Sequence, residues 1–451
     1  MVDIDEPAMG LDAPESKESP FQSDCAEDCA KVEAPKYDTH EAAAAWTKLD
    51  LTVLPVVTMI YFLSSLDRSN IGNARIAGLQ KQLKMSDDQY SIVLTATLIT
   101  YTLIDIPSNL VIKVAFFLLS RSTCRRFILD GDFNFVMFSA TSLASAFSGL
   151  LAAAILNMEG IGSKPGWAWL FILEGLFTVL FGVTCYFMLS NAPAESSWLS
   201  DDEKIAVVQA LRQDGIISRG EQDASYTLAN CVRTFLQPHV LLIMVIGFLN
   251  GRFSFLPSIV SGLGYSGTRA QLMSVPPFAV AAVLSVMTAF FADRFGQRGL
   301  NIIFFAATAL VGFSIFYASH VDHIRYGSLF LLVPGTYCIG PPLGTWTANN
   351  SAPYIRRATA LAILPMMTNL GSILSTWLLG AISPAPRYTS ATITLLVFQI
   401  GIIVCAVMNM MWLAREGRRK ARARALGLAN GGAEPSIVGE SDDSIWFEYV
   451  M

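Results

Sequence analysis

The sequence predicts an all-α integral membrane protein of about ten spans, and three observations carry that expectation. Apolar residues make up 53% of the 451-residue chain and charged residues 15%, against about 25% charged in a typical soluble domain. The apolar residues are gathered into blocks of about twenty, the length a helix needs to cross about 30 Å of hydrocarbon. Backbone amides left unpaired in lipid are too costly for such blocks to be anything but helices.

The blocks lie at 49–67, 90–112, 134–157, 167–190, 238–262, 272–292, 300–319, 327–348, 358–381 and 390–413. Residues 1–47 precede them as an acidic tail rich in Pro, Ser and Ala. Residues 1–45 hold 12 Asp/Glu and 3 Lys, a net of −9 within a whole-chain charge of −5. Such composition cannot build a core and reads as disordered. No apolar run lies near the N-terminus, so the first span is expected to act as its own membrane signal. The spans divide into four at 48–190 and six at 237–415, separated by a polar loop at 191–236 and followed by a tail at 416–451. In the loop, "SSWLSDDEK" offers Ser200 and Glu203 at capping-box spacing.

Short-loop charge gives the orientation. Lys113, Arg121, Arg125 and Arg126, then Arg294 and Arg298, then Arg356 and Arg357 fall in loops on one side, joined by "REGRRKARAR" at 415–424. The positive-inside bias places both termini in the cytoplasm. The first opposite loop is an exception, with Arg68, Arg75, Lys81 and Lys84. The basic tail is expected to lie against anionic lipid.

Catalytic patterns are absent: the four histidines sit in loops or at span ends, and no HExxH, GxSxG or P-loop occurs. The seven cysteines make no paired or zinc-spaced framework, and no cofactor or nucleic-acid partner is expected. Ionisable groups inside spans are the informative residues, because they are expensive there. Asp67 and Arg68 close the first span; they read either as a snorkelling pair or as an anion-binding arginine beside a proton-exchanging carboxylate. Asp105 lies deeper, about 12 Å of helix from Lys113, and serves either amides freed by Pro107 or a transported proton. Tyr101, one turn earlier, suits a pocket wall. Glu174 is expected to make a structural hydrogen bond between helices. Arg252 invites an anionic partner. Asn369 is read first as interhelical glue, with ligand contact as the alternative. Ser142, Ser145, Ser148, Gly149 and Ala152 form a close-packing face. In "AFFADRFGQRG", Asp293, Arg294, Gly296 and Arg298 fill a tight turn whose charges can bridge helix ends as a gating latch.

Seven blocks, "SSLDRSNIGNARIAGL", "ITYTLIDIPSNLVIK", "FILEGLFTVLFG", "WLSDDEK", "GLGYSGTRAQLMSVPP", "ADRFGQRG" and "NNSAPYIRRATA", together resemble the fungal allantoate permease relatives. These are anion:cation symporters of the major facilitator superfamily, a group that includes nicotinate, pantothenate and allantoate carriers. The resemblance runs from about residue 48 to 415. It implies two six-helix bundles around a central site in the plasma membrane, and uptake of a small organic anion, commonly with protons. On that resemblance Arg68 binds the substrate anion, Asp67 exchanges the proton, Tyr101 and Asn369 line the pocket, and Asp293, Arg294 and Arg298 gate.

The chain departs from the family at 114–133, "VAFFLLSRSTCRRFILDGDF", where the third and fourth of twelve spans belong. These twenty residues are too charged to cross even once. Two spans are therefore expected to be missing, and with them the family's fourth-span glutamate, implicated in proton coupling. The alternatives to an anion symporter are a non-transporting, truncated or mis-spliced member or membrane sensor, and an efflux carrier for a secondary metabolite.

Overall fold

The computed structural model describes residues 39–100, 102–103, 131–188, 200–205, 228–251, 256–352, 354–383, 387–429, 447 and 449–450. All regular structure among them is helical. Helix α1 runs Thr39–Ile76 and α2 covers 87–100. Next come α3 (Gly131–Ile155) and α4 (Gly166–Met188). The later helices are α5 (Pro238–Leu249), α6 (Leu256–Gly262), α7 (Gly267–Phe295), α8 (Arg298–Ala318), α9 (Asp322–Tyr337), α10 (Gly340–Asn349), α11 (Tyr354–Trp377) and α12 (Thr389–Ala429).

Every expected apolar block is helical over most of its described residues, with 101 and 104–112 of the second block, 189–190 of the fourth and 252–255 of the fifth outside them. Among the described residues, six segments are long and apolar enough to cross a membrane: Ala140–Met158, Gly166–Cys185, Gly267–Thr288, Arg298–Ala318, Arg356–Gly380 and Thr389–Leu426. The blocks at 238–262 and 327–348 each divide into two shorter helices. In the second of these, Pro341 and Pro342 fall in the first turn of α10, where their missing amide donors cost least. The basic run at 415–424 continues α12 as helix instead of starting a tail.

Small residues decide how the helices before residue 189 meet those after 237. Ser142, Ser145, Ser148 and Ala152 of α3 are all buried. A methyl group added at Gly149 would lie 3.0 Å from the Val275 side chain and 3.2 Å from the Gln271 carbonyl of α7. The packing face expected from the sequence is thus the seam between the two sets, where van der Waals contact replaces a hydrophobic drive that lipid does not supply. Near Gly78 both sets feed one continuous core, including Ala74, Tyr90, Ala146, Leu256, Phe313 and Tyr388. Toward Arg298, the core of Ile243, Ile302, Trp346, Leu364 and Ile402 comes entirely from helices after residue 237.

In the basic stretch expected as the first opposite loop, the exception to the charge bias, α1 continues to Ile76 and Arg75 in its last turn is tied down. Arg75 pairs with Asp87 at 2.6 Å, donates to Gln80 at 2.8 Å and stacks over Tyr90. The capping box forms as expected: the Ser200 amide donates to the Glu203 carboxylate at 3.0 Å, and the Glu203 amide to Ser200 Oγ at 3.3 Å. Glu203 also accepts from Lys48 at 2.6 Å. The Lys48 ammonium and then the Ser200 amide hold the Glu203 carboxyl below its usual range. A depressed carboxyl stabilises this tether above its unfolded pKa and loses it as pH falls through the folded one. A zero-length carbodiimide should therefore join Lys48 to Glu203 at neutral pH and leave Glu203→Gln unlinked, as peptide mass spectrometry would read.

Candidate functional site

A cavity of about 310 Å³ lies between the two sets of helices, with Asp67 and Arg68 of α1 in one wall and Asn369 and Ser372 of α11 in another. Its size suits a small ligand. Three of the residues singled out from the sequence therefore meet in space, from positions three hundred residues apart. Asp67 is solvent-exposed there and Arg68 half-buried. The Arg68 guanidinium donates through Nε to the Ser64 carbonyl one turn earlier, at 3.2 Å, which fixes the start of a long side chain. The remaining expected site residues, Tyr101, Asp105 and Arg252, lie outside the described residues.

The polar groups of the cavity are unevenly satisfied. Asn369 is buried, and its side-chain NH₂ has no partner among the described residues. The Thr141 and Ser65 hydroxyls, also in the wall, are likewise buried without partners. Buried polar groups are ordinarily hydrogen-bonded, so unpaired ones facing a cavity suit a polar guest. Phe278 and Tyr337 close another side, packed edge to face at 5.4 Å.

A hydrogen-bonded chain braces the floor. The Asn73 amide donates to Ser148 Oγ at 2.5 Å, Ser148 donates to Asn70 at 3.1 Å, and Gln271 donates to the Asn73 carbonyl at 3.0 Å. Asn70 and Asn73 were not singled out in the sequence, although they follow Asp67 at intervals of three and so share its helix face. Trp377 of α11 donates to Thr95 of α2 at 2.9 Å, a second link between the sets.

Glu174 departs from expectation. It is 5% exposed, yet neither carboxylate oxygen has a partner among the described residues. The expected structural hydrogen bond between helices is not made among the described residues.

Around the expected latch, Gly296 adopts φ +63° and reverses the chain between α7 and α8. Asp293 lies in the last turn of α7, with its side chain outside the described set, and Arg294 is exposed. Arg298 is buried. It donates to the Thr345 carbonyl at 3.0 Å and, with the Asn349 amide turned so that its oxygen faces the guanidinium, to that side chain too. Arg298 thus ties the start of α8 to the end of α10. Next to it, Asn350 clasps Val450: its amide donates to the Val450 carbonyl at 2.8 Å, and the Val450 N–H donates back to its oxygen at 2.8 Å. Trp346 donates to the same carbonyl at 3.0 Å, while Tyr449 rests on Trp412 and accepts from Lys420 at 3.1 Å.

Long apolar helices in two sets, meeting along a small-residue seam around a polar cavity, define a multi-pass membrane carrier. The chain belongs to the Major Facilitator Superfamily, whose sequence model matches residues 134–376. It is therefore a secondary transporter, not an enzyme. The MFS transporter prlL of Fungal sp. strain NRRL 50135 is 34% identical, over 69% of this chain and 74% of that one. The high-affinity nicotinic acid transporter of Saccharomyces cerevisiae is 27% identical, over 83% of this chain and 78% of its own. Among solved structures, the proton:xylose symporter XylE bound to 6-bromo-6-deoxy-D-glucose shares the fold at a TM-score of 0.57 and 15% identity, covering 80% of this chain and 95% of that one.

Proposed function

We propose that the protein carries a small organic anion, a carboxylate such as nicotinate, pantothenate or allantoate, by alternating access and in symport with protons. The single observation that supports this best is the pairing of Arg68 with the unpartnered Asn369 amide across one cavity. A cation and a neutral donor on facing helices can engage the two oxygens of a carboxylate, and charge-assisted hydrogen bonds are the stronger kind. Asp67, next to Arg68 and open to the cavity, is the proton carrier in this reading, and Arg298 with Arg294 forms the gate. The nicotinic acid transporter among the relatives agrees with the substrate class.

In the same proposal the chain crosses the plasma membrane ten times with both termini in the cytoplasm, as a four-span bundle at 48–190 and a six-span bundle at 237–415. The comparisons support a lost segment. The alignment with the nicotinic acid transporter extends over 422 positions but uses 83% of this chain, about 374 of its 451 residues. About fifty positions of the relative thus face gaps, close to the length of two spans and a loop.

The test is uptake in yeast lacking its own nicotinate carrier. Expression should give saturable accumulation of labelled nicotinate or a related carboxylate, faster in acidic medium. No uptake across a broad panel of carboxylates would sink the reading. It would favour a non-transporting member, which the charged stretch at 114–133 makes the second reading. Sequencing the transcript across codons 110–140 separates a genuine short protein from a mis-spliced one: about 60–70 additional residues there would restore two spans.

A further inference from the structure

A larger cavity, of about 1190 Å³, lies beside the first between α1, α3, α4 and α7. Its wall is hydrocarbon and aromatic, with Phe62 and Phe147 in tilted contact at 5.8 Å and Phe177 on α4. Glu174 and Thr58 supply its only polar side chains among the described residues. Glu174 sits about 12 Å along α4 from Gly166, well inside the Gly166–Cys185 membrane segment. Both its carboxylate oxygens and the Thr58 hydroxyl are buried without partners among the described residues. The Asp67 carboxylate, facing the neighbouring cavity, adds its own negative field at Glu174.

A carboxyl in this setting is expensive, and membrane proteins retain such groups for ligands, ions or partners. Acceptor oxygens, negative potential and aromatic faces all favour the same complement, a cation that carries N–H donors. The apolar wall requires that cation to have a hydrocarbon body.

We propose that this cavity binds a protonated lipophilic amine, its ammonium donating to Glu174 and its hydrocarbon lying against Phe62, Phe147 and Phe177. The site is lined by different residues from the Arg68 cavity, and the proposal does not rest on what that cavity carries.

The probe is tritiated n-decylamine, with the full-length protein in lipid nanodiscs at neutral pH and binding read by scintillation proximity. Saturable binding is expected, competed by unlabelled decylamine and not by decanol or decanoate. Glu174→Gln should weaken it by at least about tenfold, the size of a lost charge-assisted hydrogen bond. Val283→Trp, which narrows the cavity from its exposed α7 side, should weaken it even if Glu174→Gln fails to fold. Gly182→Ala, which meets nothing within 4 Å and lies outside the cavity wall, should leave it unchanged. Equal competition by decanol would make the cavity a plain acyl groove occupied by lipid, and would overturn the proposal. Binding unweakened by both Glu174→Gln and Val283→Trp would overturn it as well. An uptake assay that fails for every carboxylate leaves this result standing, so the two readings fall separately.

Discussion

Gly371→Ala should leave no properly folded protein. The turn that follows α5 presses against α11 with backbone on backbone. A methyl group at Gly371 would overlap the Phe248 carbonyl oxygen outright and stand 2.9 Å from its carbon and 3.1 Å from Gly251 Cα. The contact is reciprocal: a methyl at Gly251 would overlap Gly371 and meet the Ser372 amide at 2.6 Å. None of these atoms belongs to a flexible side chain, so relief requires the helices to separate. Overpacking a side-chain core costs about 1–3 kcal/mol; with backbone as the obstacle, the cost should lie at or beyond the upper end. Fluorescence-detected size exclusion is the measurement. Gly371→Ala and Gly251→Ala should lose the monodisperse peak, while Gly175→Ala and Gly182→Ala, which meet nothing within 4 Å, should keep it. An intact peak for Gly371→Ala would mean that the two helices are not in contact there.

The second large effect belongs to Arg68. Arg68→Gln removes the cation from the proposed anion site yet preserves most of the stem, which lies half-buried along α1. A hydrogen bond to a charged group is worth about 1.5–3 kcal/mol, so KM for the transported carboxylate should rise roughly 10- to 100-fold at unchanged surface expression. Arg68→Lys should recover part of this, because it restores charge without the planar fork. Asn369→Ala should raise KM less than Arg68→Gln, since it removes a neutral donor. Concentration-dependent uptake with quantified protein at the membrane checks all three. Unchanged KM in Arg68→Gln would place the anion elsewhere.

The fold was legible because hydropathy acts locally: a block of twenty apolar residues declares a helix wherever its neighbours lie. Asp67 and Arg68 stood out for the same reason, since charges at the end of such a block are conspicuous. The Ser200–Glu203 cap was legible because its partners are three residues apart. Contacts that depend on distant partners were not. Nothing near Gly251 reveals that Gly371 will touch it. Asn369 could be read as interhelical glue or as a ligand contact, and the position of its amide in a polar cavity, without a partner among the described residues, depends on helices distant in sequence. Among the described residues Glu174 lacks the interhelical hydrogen bond expected of it, because part of its surroundings comes from α1 and α7, which are distant from it in sequence. The aromatic residues at 447 and 449 sit in a stretch whose composition reads as tail, and their significance came from Trp346, Asn350, Trp412 and Lys420.

That last attachment bears on how the protein can be handled. Val450 occupies the donors of Trp346 and Asn350, both fully buried. A chain that stops before residue 447 would strand those donors against the end of α10, where an unmet buried group costs about 1–3 kcal/mol. The strain would fall on the helix that anchors Arg298. Affinity handles and fluorescent reporters are therefore better carried on the acidic leader than behind the final residues. Deletion series trimmed from the carboxyl side would measure loss of this clasp before they measured anything about carriage.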